Sequence, residues 1–319
     1  MKAQIITAIL MATSAASVRQ QPQFKTSTSI VRLEVSVTDE DGAVRGLQQD
    51  DFIVYDNGVR QVVRVQESAD APLDLVLVAE PMQSVLYTSG VVRDHRFFVD
   101  SIRANRVGAG LGAFFAQVEE RDRLGVIRAG SPPTRLRRLE SGPPSFDPAA
   151  FAGGSYAAPF DAIAAALREF TETDRRRALI AFTNAADFRS VLSFRALAEM
   201  ARRLGPQFVL IGNPVSVDEY ATASAETTLG VPIGDAVRGS VSGYVVPAPL
   251  QLLARRTGGI TVNLGSGDPR ELIEQTFTWL RTQYIVTYEP PGGKGWHPVS
   301  VKVNRRGATV TVREGYVVD

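Results

Sequence analysis

From Ile30 onward apolar and polar residues alternate, with Val31, Leu33, Val35 and Val37 set against Arg32, Glu34, Ser36 and Thr38. A period of two puts each set on its own face, so this segment predicts a half-buried antiparallel strand. It ends at Asp39-Glu40-Asp41-Gly42, a turn in which glycine can take positive φ. Val44 to Leu47 reads as a short return and Asp51 to Tyr55 as a second strand. Asp56-Asn57-Gly58 is a hairpin turn, with Val59 to Val65 predicted to complete the pair. The same period returns far along the chain in Gln283 to Tyr288, Val299 to Val303 and Thr309 to Arg313. Turns at Pro290-Pro291-Gly292-Gly293 and Arg305-Arg306-Gly307 separate these strands.

Between these flanks the pattern changes. Leu73, Leu75, Val76, Leu77 and Val78 form a continuous apolar run, as in a strand covered on both faces, and Glu80, Pro81 and Ser84 break it. Asp94 to Val118 predicts a long helix with Phe98, Ile102, Leu111, Phe114, Phe115 and Val118 inward. Strands follow at Leu124–Arg128, at Thr134–Leu139 on an edge, at Arg177–Phe182 and at Gln207–Gly212. Helices are predicted after the Gly/Pro/Ser loop 141–159, with Phe160, Ile163, Ala164 and Leu167 inward, and again over Ser193–Leu204 and Leu250–Arg256. Gly259–Leu264 is the last strand of this region, and Pro269–Thr282 the last helix, with Leu272, Ile273, Phe277 and Leu280 inward. Residues 213–247 carry glycines and no sustained period, an irregular excursion of the kind that is usually functional.

Alternating strands and helices between two all-β flanks predict a doubly wound, mostly parallel α/β sheet inserted into a small antiparallel β-sandwich. The expected units are a β-sandwich of residues 28–68 plus 283–319 and an α/β domain of residues 72–282. Ahead of them, Lys2, the apolar stretch Ile5–Met11 and the small residues Thr13 to Ser17 have the order of a signal peptide over residues 1–18, cleaved near Ala16 to Val18. Residues 19–27 read as a linker. No other segment offers the ~20 apolar residues of a membrane helix, so the expectation is an exported protein, periplasmic, envelope-associated or secreted.

Composition narrows the chemistry. Lys+Arg of 35 against Asp+Glu of 34 gives a net charge of +1 over 319 residues, which argues against binding to nucleic acid through bulk charge. The runs Arg135, Arg137, Arg138 and Arg175-Arg176-Arg177 lack interleaved aromatics and read as solvated boundaries. With no cysteine there is no thiolate nucleophile and no cysteine zinc site. His95 and His297 fall in different predicted domains and no Gly-x-Ser-x-Gly elbow is present, so a Ser/His/Asp triad is not expected. Gly108-Ala109-Gly110-Leu111-Gly112 lies inside a helix rather than at a strand-to-helix turn, so it reads as close packing rather than a nucleotide fingerprint. Trp279 is expected in the core. Trp296, in the turn Gly293 to His297, reads either as an exposed anchor or as sandwich packing.

Three segments together resemble a von Willebrand factor type A domain: Asp74-Leu75-Val76-Leu77-Val78 with a loop ending in Ser84, Gly153-Gly154-Ser155 before Asp161-Ala162-Ile163, and Ala178 through Asn184. The flanks Val35–Asp39, Gly46-Leu47 with Asp51–Tyr55, Leu253-Ala254 with Thr257-Gly258-Gly259, and Arg313–Tyr316 are similar to the VWFA-related domain proteins described from Acidobacteria. The resemblance implies a protein-binding module. Many relatives hold a partner through a divalent metal at the carboxyl edge of the sheet, on an Asp-x-Ser-x-Ser loop, a Thr and an Asp. A small divalent ion such as Mg²⁺ wants about six oxygens at ~2.1 Å.

Carried over position by position, those ligands fall on Glu80, Met82, Ser84, Ser155 and Asn184, with only Ser84 unchanged. Met82 offers a soft thioether in place of a hydroxyl, Asn184 lacks the charge, Pro81 stiffens the loop, and Glu80 is one methylene too long. The site therefore reads as degenerate, with no cofactor expected beyond a weak Mg²⁺ or Ca²⁺ and with Asp187 as a possible substitute ligand. The function expected is an exported, non-enzymatic protein-binding or adhesion module, metal-independent, whose partner contacts run through Glu80, Gln83, Ser84, Ser155, Asn184 and Asp187. The alternatives are a hydrolase or transferase using Glu80, Asp187 or Asp218, and a structural envelope protein with a vestigial site.

Overall fold

The computed structural model of the protein describes residues 30–81, 94–142, 145, 147–151, 157–171, 174–183, 187, 189–212, 215–216, 244–245 and 248–318, the backbone alone for 94–105, 215–216, 244–245 and 248. The predicted leader and linker, most of the 213–247 excursion and the side chains of His95, Phe98 and Ile102 lie outside that set.

Alternation drives the first strand, β1 (Val31–Asp39), whose Val31, Leu33, Val35 and Val37 are buried. The Gly42 turn, with φ of 112°, returns it as β2 (Gly42–Ala43). β3 (Phe52–Asp56) and β4 (Val59–Arg60) form a hairpin across Asn57 (φ 50°) and Gly58 (φ 79°), the two consecutive positive-φ residues that a tight hairpin needs. The strand expected over Val59–Val65 is in fact two. After Gln61 N–H donates to the Val54 carbonyl the chain leaves β3, buries Val63 and exposes Val62. It then forms β5 (Arg64–Glu67) in the other antiparallel sheet, beside the strand Tyr284–Tyr288.

The middle of the chain supplies β6 (Leu73–Ala79), α1 (Asp94–Gln117), β7 (Arg123–Arg128), β8 (Thr134–Ser141), α2 (Pro159–Leu167), β9 (Arg176–Thr183), α3 (Phe194–Leu204), β10 (Gln207–Gly212), β11 (Val215–Ser216), β12 (Tyr244–Val245), α4 (Ala248–Arg256), β13 (Thr261–Asn263) and α5 (Pro269–Arg281). The chain ends in β14 (Tyr284–Tyr288), β15 (Gly295–Val303), β16 (Thr309–Thr311) and β17 (Gly315–Val318).

The molecule is mixed α/β. One sheet runs β13-β10-β9-β6-β7-β8, with parallel pairing throughout except for the edge strand β8. Its two faces follow from alternation along β6. Leu75 and Leu77 pack with α1 and α5 through Leu111, Phe114, Ile273 and Phe277, whereas Val76 and Val78 pack with α2, α3 and α4 through Ile163, Leu197 and Leu253. Gly110 of α1 sits where a Cβ would come within 3.2 Å of the Phe182 ring, so this glycine serves close approach to the sheet, whereas Gly108 has open space around it. Two antiparallel sheets, β16-β1-β14-β5 with β2 beside β1, and β17-β15-β3-β4, draw their strands from both flanks of the chain. They share one apolar core built on Leu33, Val35, Phe52, Val54, Tyr284 and Val286.

Long-range polar contacts join the two parts. Arg176 is 1% exposed and donates from Nη2 to the Leu280 carbonyl at 2.7 Å and to Gln283 Oε1 at 2.6 Å. Within the α/β part, Arg175 Nε donates to the buried Asp74 carboxylate at 2.6 Å, and Arg123 Nε to the same group at 2.8 Å. The run Arg175-Arg176-Arg177 is thus not a solvated boundary: β9 begins under α5 and β14, which bury its middle arginine. Trp296 does not lie in a turn but in β15, half-buried, with the Arg202 guanidinium 3.9 Å over its ring.

A polar cluster unannounced in the sequence sits inside the antiparallel part. Asp56 Oδ2 accepts from the Tyr288 hydroxyl at 2.9 Å and the Tyr316 hydroxyl at 2.5 Å, and Asp56 Oδ1 lies 2.9 Å from His297 Nδ1. Asp56 is wholly buried and depends on these partners.

Candidate functional site

The continuous apolar run of β6 ends at Ala79, and the register Ala79↔Phe182 sets the end of β9 beside it. Glu80 N–H donates to the Phe182 carbonyl at 3.1 Å, so both strands finish together. The chain leaves β6 toward α1 on one face of the sheet and leaves β9 toward α3 on the other. This is the topological switch point, where open α/β sheets form crevices for ligands.

Glu80 itself is buried, 4% exposed, and its Oε1 accepts a short hydrogen bond from the Thr183 hydroxyl. Thr183 had no signal of its own. It stands beside Asn184 in the family-like segment, and only the register of β9 against β6 turns it toward Glu80.

The second described member, Asp187, is held inside its own loop. Its Oδ1 accepts from the backbone N–H of Ser190 at 2.9 Å and of Arg189 at 3.2 Å, while Oδ2 is buried without a hydrogen-bond partner. Burial pushes the Asp187 carboxyl up from its ordinary value, against hydrogen bonds from Ser190 and Arg189 that pull it down. The loop is pinned further by contacts not foreseen from sequence. Ser190 Oγ accepts from Phe160 N–H (3.1 Å) and Asp161 N–H (3.2 Å) at the start of α2. The Asp161 carboxylate in return accepts from Val191 N–H and Leu192 N–H, each at 2.9 Å. At the tip Val191 is 96% exposed.

The structure therefore brings Glu80 and Asp187 to the same edge. Gln83, Ser84, Ser155, Asn184, Met82 and Asp218 lie outside the described residues. Among the described residues no group of three or more His, Asp or Glu side chains is placed to hold a metal ion. Glu80 is engaged by a hydroxyl donor and Asp187 Oδ1 by two amides, which leaves Asp187 Oδ2 as the oxygen without a partner between them. His297 is bound to Asp56 in the antiparallel part, at a site separate from this edge.

No protein-family model matches the sequence, and no curated protein matches it significantly. Solved structures do. An aerotolerance-related membrane protein from Bacteroides fragilis, at 16% identity and a TM-score of 0.39, matches over 64% of this chain and 98% of its own. Proximal thread matrix protein 1 from the mussel byssus, with a zinc-occupied MIDAS motif, matches over 72% of this chain and 50% of its own, at 11% identity and a TM-score of 0.45. The ArnB paralog VWA2 from Sulfolobus acidocaldarius matches over 89% of this chain and 75% of its own, at 8% identity and a TM-score of 0.38. All three similarities are remote. Among the described residues no helix is long and apolar enough to cross a membrane.

Proposed function

We propose that the chain is an exported protein-binding module in which a von Willebrand factor type A-like α/β domain, residues 72–282, is carried on a β-sandwich of residues 28–68 plus 283–319. Its partner docks on the carboxyl edge of the sheet, on the loops that follow β6 and β9, without requiring a divalent metal. The observation that carries this reading is the Glu80–Thr183 hydrogen bond. It engages the carboxylate at the end of β6 with a protein donor, in a position where a metal-dependent relative would present carboxylate and hydroxyl oxygens to an ion. The pinned 187–193 loop supports it, because a rigid loop with an exposed apolar tip loses little entropy on docking.

Titration calorimetry with Mg²⁺, Mn²⁺ and Ca²⁺ tests the metal part. The natural protein is expected to show no micromolar binding, and the triple variant Glu80→Asp, Met82→Ser, Asn184→Asp to gain it. Micromolar binding by the natural protein would overturn the metal-independent reading. A photo-crosslinking residue at Val191 tests the edge, with one at Val62, exposed on the antiparallel part, as control. Adducts to a defined envelope protein from position 191 alone are expected, and adducts from 62 alone would move the docking face to the β-sandwich.

A further inference from the structure

Trp296 and three arginines meet at the amino edge of the sheet. α3 carries the chain back from the carboxyl ends of the strands, so its last turn and the Gly205 cap lie beside the start of β10. There the end of α4 meets the segment leading into β17. Thr257 bridges to Arg313, and Gly258 sits where a Cβ would fall 2.5 Å from the Arg313 backbone nitrogen. Arg202 of α3 stacks its guanidinium 3.9 Å over the Trp296 ring of β15. Gly315 leaves that ring its place, since a Cβ there would fall 2.6 Å from it. Between these elements lies a pocket of about 10 Å³, lined by the apolar Ala201 and Leu253 and by Arg202, Arg256, Arg313 and Trp296.

The arginines hold more donors than the protein supplies acceptors. Arg313 donates from Nε to the Gly315 carbonyl at 2.6 Å and from Nη2 to the Arg202 carbonyl at 3.2 Å. It pairs with no carboxylate among the described residues. Its Nη1 makes no hydrogen bond there and lies against Gly205, also of the pocket wall, where a Cβ would stand 2.6 Å from it. Arg256 Nε is 3.6 Å from Glu314, too far for a hydrogen bond. Arg202 shares Glu199 with Arg203, at 3.4 and 3.0 Å. Arg255, exposed beside Arg256, has no ion pair among the described residues. The pocket and the two helix ends beside it thus carry a positive excess that Glu199 and Glu314 do not offset.

We propose that this pocket docks an acidic segment of a polypeptide partner, one of whose carboxylates enters among Arg202, Arg256 and Arg313 beside Trp296. Charge decides the sign, because every free polar group lining the pocket from these arginines is a donor on a cation. Size decides the class. About 10 Å³ is room for one water-sized group, which admits an oxygen of a carboxylate side chain with the rest of that side chain in the mouth. A phosphorylated lipid headgroup is too large for it. Arg203 and Arg255, at the ends of α3 and α4, are placed to meet further carboxylates of the same segment. Trp296 is then one wall of a charged pocket joining the α/β part to the antiparallel part, and such junctions are common places for binding sites. This inference is independent of the proposed docking edge, which lies at the other ends of the strands.

The test uses the full chain, an oligoglutamate peptide, its oligoglutamine counterpart and vesicles containing phosphatidylglycerol, at about 0.15 M salt. Anisotropy of the fluorescein-labelled peptides should show binding of oligoglutamate alone. The unlabelled oligoglutamate should change the tryptophan fluorescence, and Trp296→Phe should abolish that change while Trp279 remains. Arg256→Gln is expected to weaken binding about tenfold, the usual effect of losing a hydrogen bond to a charged group. The Arg256 side chain is 41% exposed, so this variant should fold as the natural protein does. Arg202→Gln should weaken binding as well. Arg306→Gln removes the same charge from the exposed turn before β16 and should leave binding unchanged. Failure to bind oligoglutamate, binding of vesicles in its place, equal weakening by Arg306→Gln, or binding without a change in Trp296 fluorescence would each overturn the assignment.

Discussion

The Thr183 hydroxyl donates to the Glu80 carboxylate across two parallel strands whose chains depart to opposite faces of the sheet. This one bond joins the ends of β6 and β9 and lies at the base of both edge loops. Thr183→Val keeps the shape and removes the donor, leaving a buried carboxylate with one partner fewer. The loss is about 2 kcal/mol of stability, typical for a hydrogen bond to a charged group, to be read from urea unfolding. Glu80→Gln in the same background should restore part of it, since a neutral amide is cheaper to bury than a carboxylate deprived of its donor.

At the opposite, amino end of β6, Asp74 is buried and takes Arg123 and Arg175 together. Asp74→Asn keeps volume but leaves two guanidinium groups facing a neutral amide. Breaking such a buried pair costs about 3 kcal/mol. Chemical denaturation should show the fall in midpoint with an unchanged slope, because the surface exposed on unfolding stays the same.

Much of this architecture is legible because burial imposes a period. Val31, Leu33, Val35 and Val37 alternate since one face of β1 meets the shared core, and Leu73 through Val78 do not since β6 has helices on both faces. The sheet switch after Val59–Arg60 leaves no such mark: Val62 and Val63 read alike, yet one is exposed and the other buried. Nor does the sequence say which of three consecutive arginines goes inside, because the register of β9 under α5 decides it. The position of Glu80 could be read from the end of an apolar run. Its partner Thr183 could not, since the two are 103 residues apart and meet only through strand pairing. The Asp56, Tyr288, His297 and Tyr316 cluster is hidden for the same reason.

That cluster makes a prediction at alkaline pH. Burial, and then the Asp56 carboxylate, push the hydroxyls of both Tyr288 and Tyr316 above their ordinary value of 10.0. A group raised in the folded state contributes stability that is intact below its unfolded value and lost as pH climbs through the folded one. Stability is therefore expected to hold up to about pH 10 and then decline. Tyrosinate absorbance should rise together with unfolding rather than ahead of it. Tyr288→Phe removes one of the two groups, so its stability should fall less steeply with pH above that point even though its value at neutral pH is lower.

Asp187 tests the edge loop by the same linkage with the window moved into acid. Its carboxyl is raised from 3.8 chiefly by burial, so the folded protein binds this proton more tightly than the unfolded chain does. The contribution is intact below the unfolded value and is lost as pH rises through the raised folded value. Other carboxylates titrate in the same range, so the informative quantity is the stability of the natural protein minus that of Asp187→Asn at each pH. Asparagine keeps an oxygen for the Ser190 and Arg189 amides and places a neutral group where the unpartnered Oδ2 is buried. The difference is expected to favour the natural protein most at the acid end and to fall as pH rises from about 3 to 7. At neutral pH the variant should be at least as stable as the natural protein. Urea midpoints across that range decide it: a flat difference, or one that grows with pH, would show that Asp187 is held as a well-paired carboxylate rather than as a buried one at a charge cost.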